Sequence, residues 1–438
     1  MKSNSRQLNK FKELYNFISN NIYYSRNDFD LTNKSYNSAL LLGLSSAVLN
    51  GKLLYVGEYG LGKTTLSETI SSLIYLLPRK IYNSSSIKGN PEIANDQVIG
   101  RPNLGELNQG KEKVIWSEFV LSRPKIVDEI NRIPSNKQNL LLTGMQTDRW
   151  SYLNSTLEVE DCPWFATRNY SDAGNTGIIP PLLDRFELAV ESKSPGLNNF
   201  RSMRYHKSIS LDSKDLEDAY YDLLSRQHLT KKEFNEELGQ IKRAYKSITE
   251  SKTGLELFTE RDLNQINEEV KSIEFDQDSN FLFDVIISEL GSCQLFGQKR
   301  TNQDCPTDCH FSNYACNVVQ NDFSTRTVLT IDKYSKMLAW IEGKKRVEKT
   351  HLKRIAPFAL WHKIKVKEEY LQEISEQKRE DALEVEATKK IIDEIEKRQH
   401  KLIPKQKEVV QNIISENVQR AIDVSKRMDH PVFKEYLK

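Results

Sequence analysis

Apolar residues recur at helical spacing through the first fifty positions. Phe11, Leu14, Tyr15 and Ile18 form one such row, and Leu40, Leu44 and Val48 another. From residue 53 the pattern changes. Leu53-Leu54-Tyr55-Val56 is an unbroken apolar run of strand length. Ile126-Val127 carries a second run and Trp164-Phe165-Ala166-Thr167 a third, with helical stretches between them. Apolar strands alternating with helices predict a parallel sheet with covering helices.

The alternation stops near residue 191. Leu216–Ser225, Lys232–Ile248 and Phe281–Leu290 read as helices, which predicts an all-α domain after the α/β core. Residues 366–400 are dense in Glu and Lys, with Leu371, Ile374, Ile392 and Ile395 at helical spacing. A heptad frame through them also meets Lys378 and Asp381, which argues against a long coiled coil. Pro404 is expected to break the helix, and a last amphipathic helix is expected from about Glu408 to Arg427. These C-terminal helices read as surface helices with solvated charges, in preference to a docking arm for a partner.

With 438 residues the chain has room for two or three cores. Lysine and arginine exceed aspartate and glutamate by a formal +2, so no global attraction to nucleic acid or membrane is expected. Met1 to Phe17 is charged throughout and lacks the apolar centre of a signal peptide. The run Ala39 to Leu49 is too short and too rich in Ser to span a bilayer. The expected compartment is the cytoplasm, where five cysteines suggest metal or free thiols before disulfides.

The strongest chemical signal is Gly57-Glu58-Tyr59-Gly60-Leu61-Gly62-Lys63-Thr64, which fits G-x-x-x-x-G-K-[ST] between a strand and a helix. Gly57, Gly60 and Gly62 let the loop curl so that backbone N–H groups face phosphates. Lys63 would neutralise the β- and γ-phosphates, and Thr64 would hold Mg²⁺ through its hydroxyl, with Thr65 beside it in the first turn. The helix starting there points its positive end at the anion. Pro124-Lys125-Ile126-Val127-Asp128-Glu129 supplies the acidic element. Asp128, at a strand end, suits the magnesium shell, and Glu129 suits the attacking water. Asn169 ends the next strand, where a polar side chain can hold the water or sense the γ-phosphate. Arg185, in Leu183-Asp184-Arg185-Phe186, is a candidate for an arginine supplied in trans.

Together these runs resemble the MoxR branch of AAA+ ATPases. The likeness runs through Asp128-Glu129-Ile130-Asn131-Arg132, Gln138-Asn139-Leu140-Leu141, Gly144-Met145-Gln146, Ala166-Thr167-Arg168-Asn169 and Leu183-Asp184-Arg185-Phe186. It departs from the family at Arg168 (usually Gln), at Tyr170 (usually Pro) and at Gln146, near which the family has an acidic residue. The resemblance implies that Asn169 is the sensor-1 residue and Arg185 the arginine finger. It also implies an extra hairpin within Val98 to Val120. Ser324-Thr325-Arg326 is similar to the start of the sensor-2 helix, which would bring Arg326 to the γ-phosphate in cis. The implied organisation is an N-terminal helical segment at 1–50, a P-loop core at 51–190, a helical lid at 191–365 and charged C-terminal helices at 366–438.

Cys293, Cys305, Cys309 and Cys316 fall within 24 residues, with His310 beside the third. Four soft ligands at this spacing suit zinc or a [4Fe–4S] cluster, zinc being the preferred reading, with unligated thiols as the remaining alternative. The cluster would be an insertion of the lid beyond the family pattern. Cys162, beside a strand, reads as a buried core thiol.

The expected function is ATP hydrolysis with Mg²⁺ in a ring homo-oligomer, a hexamer by resemblance, coupled to remodelling of a protein partner. The resemblance implies that this partner includes a von Willebrand factor A domain protein. The alternative is a nucleic-acid-stimulated motor, in which Lys111, Lys113 and Trp116 of the hairpin touch a strand. The near-neutral charge and the lack of a recognisable DNA-binding module weigh against it. A non-hydrolysing scaffold is disfavoured by the presence of Glu129, Asn169 and Arg185.

Overall fold

The computed structural model describes residues 3–32, 34–170, 177–205, 209–226, 231–293, 297–298, 309, 314–377 and 381–436. Two compact units divide the chain, residues 1–269 and 270–438. Among the described residues no helix is long and apolar enough to cross a membrane.

The first unit is built on five parallel strands: β1 (Lys52–Val56), β2 (Ile87–Lys88), β3 (Lys125–Asp128), β4 (Trp164–Arg168) and β5 (Leu188–Glu191). Their order is β5-β1-β4-β3-β2. Leu53 to Val56 and Trp164 to Thr167 are buried without interruption, as strands covered on both faces must be. β1, β3 and β4 occupy the three apolar runs of the sequence. β2 and β5 were not anticipated there. β2 pairs over only two residues, Ile87 with Val127 and Lys88 with Asp128. Helices α1 (Ser38–Val48) and α2 (Lys63–Tyr75) belong to the same unit, and every residue of α1 is buried. Asn37 caps α1 by accepting the Leu40 N–H at 2.9 Å. Within the N-terminal segment a short hairpin, Phe29–Leu31 against Lys34–Tyr36, stands where only helix was expected.

Two antiparallel hairpins leave the sheet. Gly100–Pro102 pairs with Val114–Trp116, inside the segment where a hairpin was implied. Arg149–Tyr152 pairs with Ser155–Glu158 around a turn in which Leu153 is left-handed, with φ 51°.

The second unit is helical. Its main elements are α3 (Gln277–Gly291), α4 (Thr325–Ile341), α5 (Lys349–Leu360) and α6 (Leu383–Ile414). Two expectations are corrected here. α6 runs through Pro404 without ending. Proline removes one N–H, but Pro404 and His400, whose carbonyl loses that bond, are both exposed, so water can serve the carbonyl. Beyond Pro404 the helix is still tied to the core, because the Gln406 amide donates to the Phe281 carbonyl at 3.2 Å. Nor is α6 a solvated surface helix. Val385, Ile391, Ile392, Ile395 and Val409 are all buried, while the charges lie along the remaining face.

The core of this unit contains a buried carboxylate. Glu289 of α3 is 0% exposed. It accepts from Arg398 at 3.0 and 2.6 Å and from the Ala315 N–H at 3.0 Å, and His430 Nε2 lies 3.2 Å away. Burial alone pushes this carboxyl upward, but His430, Arg398 and the Ala315 N–H outweigh it and hold it below the usual glutamate range. Replacing Glu289 by Ala leaves Arg398 without its partner, at an expected cost of about 3 kcal/mol in urea unfolding. Because the folded pKa is depressed, the stabilisation is present above the ordinary glutamate value. It is lost as pH falls through the lowered one. The difference between wild type and variant should therefore shrink in acid.

Candidate active site

β1, β4 and β3 are neighbours, so their C-terminal ends lie side by side. The glycine-rich loop leaves β1, Asn169 follows β4, Asp128 ends β3 and Glu129 comes next. Such a crevice at the carboxyl ends of parallel strands is where open α/β sheets bind ligands. Chain topology thus brings together residues far apart in sequence.

The loop has the backbone that its glycines allow. Gly57, Gly60 and Gly62 have φ of 151°, 74° and 74°. A Cβ on Gly57 would stand 2.6 Å from the Ser192 carbonyl, so a larger residue is excluded there by contact as well as by conformation. Gly62 caps α2 without a side-chain hydrogen bond, so capping leaves the N–H groups of the first turn, where Thr65 sits, to a ligand.

Lys63 is only 7% exposed, and its ammonium donates to Gly57 O at 2.8 Å, Glu58 O at 2.7 Å and Asn169 Oδ1 at 2.9 Å. Burial lowers its pKa, while Asp128, Glu58 and Glu129 oppose that shift. A desolvated ammonium inside a glycine loop is suited to a phosphate, whose charge would offset the lost hydration. Thr64 Oγ1 donates to Asp128 Oδ1 at 2.6 Å. Two hard oxygens this close fit Mg²⁺, which takes a carboxylate and a hydroxyl beside phosphate oxygens. Glu129 has left-handed backbone, with φ 51°. Its carboxylate accepts from Asn169 Nδ2 at 3.1 Å and from Arg132 Nη1 at 2.9 Å. Lys63, Asn169, Glu129 and Arg132 therefore form one continuous chain of hydrogen bonds.

Thr167 and Arg132 enter this network, though sequence reasoning gave neither a role. Thr167 precedes Asn169 by two on the same strand path, so strand alternation alone would have placed both on one face. Arg132 follows Glu129 through the short 3-10 turn Ile130–Arg132. Beside the first turn of α2 lies a cavity of about 390 Å³, lined among others by Ile22, Tyr24, Thr65, Thr69, Met203 and Leu211.

Arg185 ends the helix Pro180–Arg185, with its side chain 14% exposed and Asp184 3.8 Å away. β5 runs parallel to β1 with Leu188 beside Leu53. Arg185 thus precedes the edge of the sheet where β1 begins, whereas the glycine loop leaves where β1 ends. Arg326 belongs to the second unit and is exposed at the start of α4.

Cys293 and Cys309 are half-buried, Cys316 is buried, and Cys305 lies outside the described residues. Among the described residues no three His, Cys, Asp or Glu side chains come together as a metal site. Cys162 is buried beside β4.

Two family models match the chain. Residues 52–186 match the AAA domain of the dynein-related subfamily, and residues 314–385 match an AAA lid domain. The chain is an ATPase with an AAA domain and an AAA lid. No curated protein matches it. A solved structure described as "a putative ATPase", from Cytophaga hutchinsonii, is similar over 90% of this chain and 96% of that one, with TM-score 0.58. At 16% identity that likeness speaks for the fold of this ATPase alone.

Proposed function

We propose that this ATPase belongs to the MoxR branch and works as a ring, of six copies by analogy with that branch, that remodels a protein partner. In this reading Lys63 and the loop N–H groups bind the phosphates, and Thr64 and Asp128 hold Mg²⁺. Glu129 activates water once Asn169 and Arg132 release it, and Asn169 senses the γ-phosphate. Bound magnesium supplies charge neutralisation on the phosphates. The cavity beside Thr65 suits the nucleoside. Arg326 of the lid serves its own site, and Arg185 serves a neighbour's. The cysteine insertion is proposed as a structural zinc or iron–sulfur site, and a von Willebrand factor A domain protein as the partner.

The observation that carries the remodelling half is the surface of the two hairpins. Leu104, Leu107 and Leu153 are 69%, 41% and 48% exposed. Asn154, in the second turn, hydrogen-bonds Glu112 of the first hairpin, so the apolar residues sit on joined loops. Exposed leucines suit a polypeptide better than a phosphate backbone. ATP turnover measured alone, with a reduced and alkylated unfolded protein, and with single-stranded DNA separates the readings. The polypeptide is expected to raise turnover several-fold and DNA to leave it unchanged. Stimulation by DNA alone would favour the motor reading instead.

A further inference from the structure

β4 lies between β1 and β3. Its register sets Phe165 beside Ile126 and Ala166 beside Val127. One step further, Thr167 comes level with Asp128. The Thr167 side chain is buried, at 1% exposure, and it meets both acids at once. Thr167 Oγ1 donates to Asp128 Oδ1 at 2.5 Å, and the Glu129 N–H donates to Thr167 Oγ1 at 2.8 Å. The direction of each bond is settled by chemistry. A hydroxyl has one proton to give, an ionised carboxylate can only accept, and a backbone N–H can only donate.

The geometry on either side makes this hydroxyl more than a packing contact. Asp128 Oδ1 takes a second hydroxyl from Thr64 at 2.6 Å, so Thr64 and Thr167 together aim the carboxylate. Glu129 is held in left-handed backbone, which a residue with a Cβ rarely adopts. Its N–H is anchored by Thr167. Its carbonyl lies against Gly89, where a Cβ would come within 2.1 Å. The peptide that carries the proposed base is therefore fixed from both sides, by a hydroxyl on β4 and by a missing side chain after β2.

We infer that Thr167 is a positioning residue for ATP hydrolysis, its single hydroxyl setting the carboxylate of Asp128 and the backbone of Glu129 together. It acts through Asp128 and Glu129, the two residues its hydroxyl meets. The inference rests on the assignment of Asp128 to magnesium and Glu129 to water.

The test compares Thr167→Val, which keeps the shape and removes the hydroxyl, with Thr167→Ser, which keeps the hydroxyl. The first readout is binding of ADP with and without Mg²⁺, and the second is turnover of Mg–ATP. In Thr167→Val, affinity for ADP without the metal should stay at the wild-type value. The gain in affinity on adding Mg²⁺ should fall about tenfold, and turnover about a hundredfold, the range typical of lost outer-shell partners. Thr167→Ser should restore both. Wild-type magnesium dependence and turnover in Thr167→Val would overturn the inference. So would a Thr167→Ser protein as impaired as Thr167→Val, which would show that shape matters and the hydroxyl does not. Should Thr167→Val fail to fold, Thr167→Cys replaces it, and a cysteine variant equal to the serine one in both readouts would overturn the inference. Glu129→Gln is measured alongside. If it hydrolyses ATP normally, the assignment of the base is at fault; if it is inactive while Thr167→Val is normal, only the role of Thr167 is.

Discussion

Glu129→Gln should bind ATP with unchanged affinity and hydrolyse it roughly a thousandfold more slowly, within the range for removal of a general base. Glutamine has nearly the shape of glutamate, and its amide oxygen can still accept from Asn169, which lies 3.1 Å from Glu129 Oε1. What it loses is basicity, together with the charge that faces Arg132 at 2.9 Å. Lys63, Thr64 and Asp128 are untouched, so the phosphate and magnesium positions stay intact. Equilibrium binding of a fluorescent ATP analogue and phosphate release at saturating ATP measure the two halves of this expectation. Normal turnover would remove Glu129 from the proposed mechanism.

Arg185→Ala should bind ATP yet lose turnover by about three orders of magnitude, as removal of an arginine finger does. The reason is topological. β5 starts at the edge of the sheet opposite the glycine loop, and from Leu53 to Val56 the sheet rises roughly 10 Å. Arg185 is therefore poorly placed for its own phosphate site. A head-to-tail ring would offer it a neighbour's site. Mixing Arg185→Ala subunits with Lys63→Ala subunits then has a specific consequence. At equal proportions roughly a quarter of the interfaces in such a ring pair an intact loop with an intact arginine. Partial recovery of activity is expected from two inactive preparations. Mixtures as inactive as their components, in assemblies of wild-type size, would count against a shared site.

The parts of this fold that showed in the sequence are those where a physical demand leaves few residue choices. β1 and β4 are covered on both faces, so each is largely a run of apolar residues, and β3 carries Ile126-Val127 at its centre. The loop from Gly57 to Thr64 must curl at Gly57, Gly60 and Gly62 and carry a cation and a hydroxyl, so its pattern survives in one dimension. β2 offered no such signal, because two residues have no periodicity. The hairpin at Phe29–Leu31 and Lys34–Tyr36 is equally short. Pro404 misled for a different reason. Its cost depends on whether water can reach the freed carbonyl, which only the exposed position of His400 and Pro404 reveals. Thr167 was hidden because its role depends on strand register. Nothing local to Ala166-Thr167-Arg168 says that the hydroxyl lies between Asp128 and the Glu129 N–H.

The central claim is that the loop from Gly57 to Thr64, completed by Asp128 and Glu129, hydrolyses ATP. Phosphate release by the purified chain, with and without Mg²⁺ and beside Lys63→Ala, tests it most directly. The expected result is steady turnover that needs the metal and disappears with the lysine, together with loss of nucleotide binding in that variant. Phosphate release that persists unchanged in Lys63→Ala, or a wild-type chain that neither binds nor hydrolyses ATP, would contradict it.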